Sequence, residues 1–295
     1  MIKFSDIINY GNPMHGKSYF DTDSNIKIIK DKGTNDDTVS LFVTGVNSAV
    51  EPDGKSSSPA HKGLIERHGD YISELVSNSL SKDKKALKAF IERYVRTLKE
   101  YKAKHGVYPK QRIIGHSRGG AGAIEIADAL QKEHPDLPQF DDFVNLDGYD
   151  LPFYGKKNTI RKDKKRLSRR SFIIRPKRPG FFHSDASDMN RDGKITRKER
   201  IYGKFANLLV KFGKRVNPYS KYRSYDIAVP GIHHSSAPEM LDTYFKLKDV
   251  KNKYELRKKL RDLYKEEDSA LISGKGSPMY GDTRLPFYTD TYDKV

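Results

Sequence analysis

At 295 residues the chain can form one large domain or two small ones around a sizeable core, and its 36% apolar residues include 18 Tyr and 14 Phe, which exclude a disordered composition despite 32% charged residues. With no cysteine there is no disulfide framework, thiolate metal site or cysteine nucleophile, so a metal must use oxygen or imidazole ligands and a covalent nucleophile should be a hydroxyl. The net charge of +17 is concentrated: Lys156–Arg223 holds 23 Lys and Arg against five acids, a local charge of +18 that leaves the rest of the chain near neutral.

In chain order, short apolar runs alternate with helical periodicity, the pattern of an α/β layer protein with a mostly parallel sheet. Asn25–Lys30 and Val39–Thr44 read as strands, and Leu64, Ile65, Ile72, Leu75 and Val76 line one helical face. A second face runs from Leu87 through Tyr94 to Tyr101 and stops at His105-Gly106. Arg112–Ile114 is the next strand, residues 119–132 the next helix, and Phe143–Leu146 the strand after it. Ser171–Ile174 and Asp226–Val229 continue the series, and Tyr254, Leu256, Leu260, Leu263 and Tyr264 stripe a helix near the C-terminus. The expectation is one domain over 1–295, with 151–223 as a basic insertion or cap. No apolar run approaches the ~18 residues that span a bilayer, and Met1-Ile2-Lys3-Phe4-Ser5-Asp6 has no signal-like stretch. We therefore expect a protein not integral to the membrane, either cytoplasmic or exported without a cleavable signal.

Gly115-His116-Ser117-Arg118-Gly119 matches G-x-S-x-G, with an apolar strand before it and a small-residue helix after it. That context fits a strand-to-helix turn that exposes Ser117 as a nucleophile and offers the Arg118 N–H as an oxyanion donor at the positive end of the helix. A serine hydroxyl needs a base, and the base needs an orienting acid. Asp147 ends the strand Phe143–Leu146, 30 residues after Ser117, with Asp150 as its nearest substitute. His233 follows Asp226–Val229 and Pro230-Gly231-Ile232, and is favoured as the base over the adjacent His234; His183, the other histidine after Asp147, lies in the insertion. The strand Ser40–Thr44 runs into Gly45-Val46-Asn47, where Val46 or Asn47 would supply a second oxyanion N–H.

Taken together, the strand into Gly45, the G-x-S-R-G elbow, the strand-terminal Asp147 and Pro230-Gly231-Ile232-His233 resemble the α/β-hydrolase family that includes bacterial phospholipase effectors of type VI secretion. The resemblance covers roughly 39–150 and 225–240. It implies Ser117, Asp147 and His233 as a triad, and a lipase or phospholipase activity of a toxin effector.

Asp188 to Glu199 satisfies D-x-[DN]-x-[DN]-G-x5-E at every required position. Calcium would take side-chain oxygens of Asp188, Asn190 and Asp192, the Lys194 carbonyl, Thr196 directly or through water, and both oxygens of Glu199. Pro176, Pro179 and Gly180 deny an entering helix, so the expectation is an EF-hand-like loop whose Ca2+ pins the insertion. The function expected is a serine esterase acting on lipid or another ester, its basic window docking on an anionic membrane surface. The alternatives are a nucleic-acid or acidic-polymer binding module on a hydrolase-like scaffold, for which the chain shows no nucleic-acid motif, and a small-molecule esterase.

Overall fold

The computed structural model describes residues 25–45, 59–78, 80, 83–150, 167–176, 214–215, 220–229, 237–272 and 288–291. Its helices are α1 (Pro59–His68), α2 (Lys84–His105), α3 (Arg118–Glu133), α4 (Ala237–Leu247) and α5 (Lys253–Ile272). The strands are β1 (Ile29–Lys30), β2 (Asp37–Val43), β3 (Glu74–Val76), β4 (Lys110–His116), β5 (Phe140–Leu146), β6 (Tyr149–Asp150), β7 (Ser168–Pro176), β8 (Lys214–Arg215), β9 (Ser220–Val229) and β10 (Tyr288–Thr291).

One sheet runs in the order β1-β2-β4-β5-β7-β9-β10, with β3 also paired to β2. β2, β3, β4, β5, β7 and β9 are mutually parallel, and β1 and β10 pair antiparallel at the margins. β6 and β8 form a separate antiparallel pair. β7 lies inside the 151–223 segment and sits between β5 and β9 in this sheet.

The two-residue side-chain period of a strand sends alternate apolar residues to opposite faces. Leu41, Val43, Ile113 and Phe143 pack with Phe90, Tyr94 and Leu98 of α2 and Ile124 and Ala127 of α3. Phe42, Ile114, Val144 and Leu146 pack on the other side with Leu64 of α1, Met240 and Tyr244 of α4, and Leu256 and Leu260 of α5. The result is a mostly parallel sheet flanked by helices, an arrangement consistent with the α/β-hydrolase fold.

α2 starts where the Asp83 carboxylate accepts from the Lys85 and Ala86 amides, both at 3.0 Å, and stops at Gly106, whose φ of 78° suits glycine as a C-cap. The helical face read over Leu64–Val76 is corrected by the structure. α1 ends at His68, Gly69–Tyr71 makes one 3-10 turn, and Leu75 and Val76 enter β3 opposite Phe42 and Val43. A free parallel edge on β2 pairs these backbones, and that non-local gain overrides a helical spacing carried by only five side chains.

At the amino edge of the sheet a chain of ion pairs and hydrogen bonds joins Lys248, Asp31, Arg112, Tyr244, Asp142 and Arg170. Asp31 accepts from Arg112 at 2.7 Å and lies 3.0 Å from Lys248, Arg112 donates to the Tyr244 hydroxyl at 2.7 Å, and Asp142 accepts from that hydroxyl and from two nitrogens of Arg170. Burial opposes ionisation of Asp31, but Arg112 and Lys248 outweigh it and hold the carboxyl below its ordinary range. All of these except Tyr244 line a cavity of about 890 Å³. The pairing ties α4, β4, β5 and β7 together at the amino edge.

His68 closes α1 against α4, fully buried, with its ring 5.3 Å from that of Phe245 and Nε2 3.2 Å from Asp242. Burial holds its imidazole below the ordinary 6.5, with Asp242 opposing the shift. The unfolded chain therefore takes up this proton first as pH falls. Stability should be level above about pH 7 and should drop by up to about 1.4 kcal/mol per pH unit below 6.5, until the folded-state value is reached. Thermal melts from pH 8 to pH 5 of the protein and of His68→Gln check this: the variant should lose part of the slope, and identical slopes would remove His68 as its source.

Candidate active site

β4 ends at His116 and α3 begins at Arg118, so Ser117 alone makes the turn between them. Its φ of 56° and ψ of −128° are a conformation that costs a residue with a Cβ roughly 1–3 kcal/mol. The turn is that tight because glycines let α3 lie on the sheet. A Cβ on Gly115 would sit 2.6 Å from the Gly119 carbonyl oxygen and the Gly120 Cα, and one on Gly119 would be buried in the Val43 carbonyl and 2.6 Å from that of Thr44. The two glycines of the pentapeptide are thus required by packing, independently of any chemistry.

Asp147 stands in the same relation to β5. Among the described residues only Ser117 and Asp147 are non-glycine positions with positive φ, at 56° and 45°. Their strands are in parallel register, with His116 opposite Leu146, and each residue continues the ladder one step beyond its strand: the Ser117 N–H donates to the Leu146 carbonyl at 3.1 Å, and the Asp147 N–H donates to that of Ile174 at 2.7 Å. The serine and the acid are therefore neighbours at the carboxyl edge, each one residue past adjacent strands that lie about 5 Å apart. This edge is where open parallel sheets place ligands.

Ser117 and Asp147 are each 3% exposed as whole residues. The end of β2 packs against the serine: a Cβ on Gly45 would meet the Ser117 Cβ at 3.1 Å and the His116 carbonyl at 3.2 Å. The Gly45 carbonyl in turn accepts from Asn78 Nδ2, and the Thr44 N–H donates to the Val76 carbonyl at 2.9 Å. Arg118 opens α3, with its side chain buried and Nη2 4.0 Å from Glu125.

Val46, Asn47, His183, His233, His234 and the whole 188–199 loop, with Asp188, Asn190, Asp192, Lys194, Thr196 and Glu199, lie outside the described residues. Asp150 falls on β6, which pairs with β8. Among the described residues no group of three or more metal-ligating side chains comes together, and no helix is long and apolar enough to cross a membrane. Three cations of the basic window are ion-paired within the sheet: Arg170 with Asp142 at 2.8 Å, Arg169 with Asp141 at 3.3 Å, and Arg175 with Asp226 at 2.7 Å.

Two participants escaped sequence reasoning. Gly45 appeared only as a strand end, yet it packs on the serine. Asn145 appeared only as part of a strand, although an amide within Phe143-Val144-Asn145-Leu146 is a polar break in a buried run.

No family model matches the chain, and no curated protein matches it. Similar solved structures include a chain assigned as a cell surface hydrolase from Lactobacillus plantarum WCFS1, at 15% identity over 75% of this chain and 96% of that one, with a TM-score of 0.34. The RedJ thioesterase of the prodiginine pathway in Streptomyces coelicolor is 17% identical over 41% of this chain and 42% of its own, with a TM-score of 0.25. The NocB thioesterase domain, in covalent complex with a fluorophosphonate nocardicin G analogue, is 11% identical over 74% of this chain and 98% of its own, with a TM-score of 0.33. At these scores the likenesses carry no weight for activity, and the class of fold rests on the strand order and the β4–α3 turn.

Proposed function

We propose that the protein is a serine hydrolase that cleaves carboxylic esters through an acyl-enzyme on Ser117, with His233 as general base and Asp147 as its orienting acid. The observation that carries this reading is the pairing of Ser117 and Asp147: both hold strained backbones, and both follow directly on neighbouring parallel strands. Such strain persists only where the surroundings over-determine it, and it falls on the two residues that the chain order Ser, Asp, His requires.

In this mechanism the His233 imidazole takes the Ser117 hydroxyl proton as Oγ bonds to the ester carbonyl. The N–H groups of Arg118 and Val46 stabilise the oxyanion, and His233 then protonates the departing alkoxide as the C–O bond breaks. Water, deprotonated by His233, attacks the acyl-enzyme and restores Ser117 as the acid is released. Asp147 keeps His233 Nδ1 protonated and Nε2 free to accept.

Membrane lipid is the substrate we favour, making the enzyme a lipase or phospholipase, because each cation of the +18 window near an anionic surface contributes about 1 kcal/mol. Reaction with a fluorophosphonate probe followed by mass mapping tests the class: Ser117 should carry the label, and an unlabelled Ser117 in folded protein would leave a binding module. Activity on anionic vesicles should fall steeply between about 0.1 M and 1 M salt, as the Debye length shrinks from about 10 Å to about 3 Å, while turnover of a soluble short-chain ester barely changes. Changing Arg161, Lys162, Lys164, Lys165 and Arg166 to Gln should mimic high salt; Arg169 and Arg170 are spared because their acids belong to the sheet. Equal activity on neutral and anionic vesicles would reduce the window to a solvated face, and salt-sensitive nucleic-acid binding without vesicle association would favour the acidic-polymer reading.

The 188–199 loop is proposed to bind one Ca2+, since its donor set is all oxygen and includes three carboxylates. Calorimetric titration of the chelated protein should show one binding event that Glu199→Gln abolishes, and chelation should lower the melting temperature. Absence of binding heat would return the loop to a polar turn.

A further inference from the structure

We infer that Asn145 is a positioning residue that aims Asp147, an inference that rests on the serine-hydrolase reading above. Asn145 is the penultimate residue of β5, paired to Gly115 on one side and Ile173 on the other, and it is 1% exposed. Strand alternation puts it on the face shared with Phe143, whose neighbours are the apolar residues of α2 and α3. A β-branched residue would suit that position better, since burying an amide costs free energy unless its hydrogen bonds are made.

The amide Oδ1 does make one. It reaches past Leu146 and Asp147 and accepts from the Gly148 N–H at 2.7 Å. Asp147 is thereby pinned from both sides, because its own N–H donates to the Ile174 carbonyl at 2.7 Å while the next N–H is held by Asn145. Those two bonds restrict φ and ψ of Asp147 and keep it in the left-handed conformation at φ 45°. Without the Asn145 acceptor the Gly148 N–H is no longer held and φ of Asp147 can relax from 45°, which swings Cβ and the carboxylate about the N–Cα bond. A carboxylate displaced by about 1 Å no longer fixes the tautomer of the base, and errors of that size cost on the order of 100-fold in rate. Asn145 acts through Asp147 and touches no reacting atom in this account.

The test compares Asn145→Leu, which removes the acceptor while keeping the number and branching of heavy atoms, with Asn145→Asp, which keeps it. On a soluble short-chain ester, Asn145→Leu should lower kcat by about 10- to 100-fold with KM within about twofold, and Asn145→Asp should recover most of the loss. The acid limb of the kcat/KM profile should move to lower pH in Asn145→Leu, because a base that loses its oriented carboxylate binds its proton less tightly. Fluorophosphonate labelling of wild-type Ser117 runs in parallel. With labelling intact, an unchanged kcat and pH profile in Asn145→Leu would overturn the inference and leave the hydrolase reading standing. No labelling of wild-type Ser117 would overturn both. If Asn145→Leu does not fold, the inference rests on Asn145→Asp, whose kcat should stay within about tenfold of wild type and whose acid limb should not move to lower pH; a 100-fold loss in a folded Asn145→Asp would overturn it.

Discussion

Gly119→Ala should cost at least about 3 kcal/mol of stability, enough to remove the folded state of a marginally stable protein. Its Cβ would be driven into the Val43 carbonyl and to 2.6 Å from the Thr44 carbonyl, both backbone atoms at the end of β2 that cannot turn aside. Relief requires α3 to lift off the sheet, which uncovers Ala123, Ile126 and Ala127, now 0%, 2% and 0% exposed. Gly122→Ala is the control. Its Cβ would come no closer than 3.3 Å to the Val43 Cγ1 and 3.4 Å to the Asn78 carbonyl, and alanine is the better helix former by about 1 kcal/mol, so this variant should be near neutral. Thermal melts of the two decide the matter, and a Gly119→Ala protein as stable as Gly122→Ala would mean that α3 does not lie where the structure has it.

The second large effect is on rate. Ser117→Ala and Asp147→Asn should each lower turnover of a p-nitrophenyl ester by about 10^4 or more, the first by removing the nucleophile and the second by favouring the wrong imidazole tautomer. His233→Ala should follow them, with His234→Ala far milder. A Ser117→Ala protein that keeps more than a few per cent of its activity would move the nucleophile elsewhere. Strain adds a readout that needs no substrate: glycine tolerates φ 56° and alanine does not, so Ser117→Gly should be more stable than Ser117→Ala by about 1 kcal/mol. Equal stability would deny the strain on which the site's assignment leans.

The sequence by itself determined the parallel-sheet rhythm, the strands that carry Val39–Val43, Arg112–Ile114 and Phe143–Leu146, the helix stop at Gly106 and the strand-to-helix turn at Ser117. These are local signals. Buried parallel strands read as apolar runs, a left-handed cap calls for glycine, and a strand-to-helix turn between glycines is legible within a few residues. Only the tertiary structure decided that Leu75 and Val76 extend the sheet, that Ala237–Leu247 is a helix against Phe172 and Tyr225, and that Arg170 spends its charge on Asp142. Only it brought Gly45 onto Ser117 and set Ser117 beside Asp147, 30 positions away. Pairing, burial and ion pairing between distant segments have energies that depend on which partner arrives, and a partner remote in the chain leaves no periodic trace in the residues it meets.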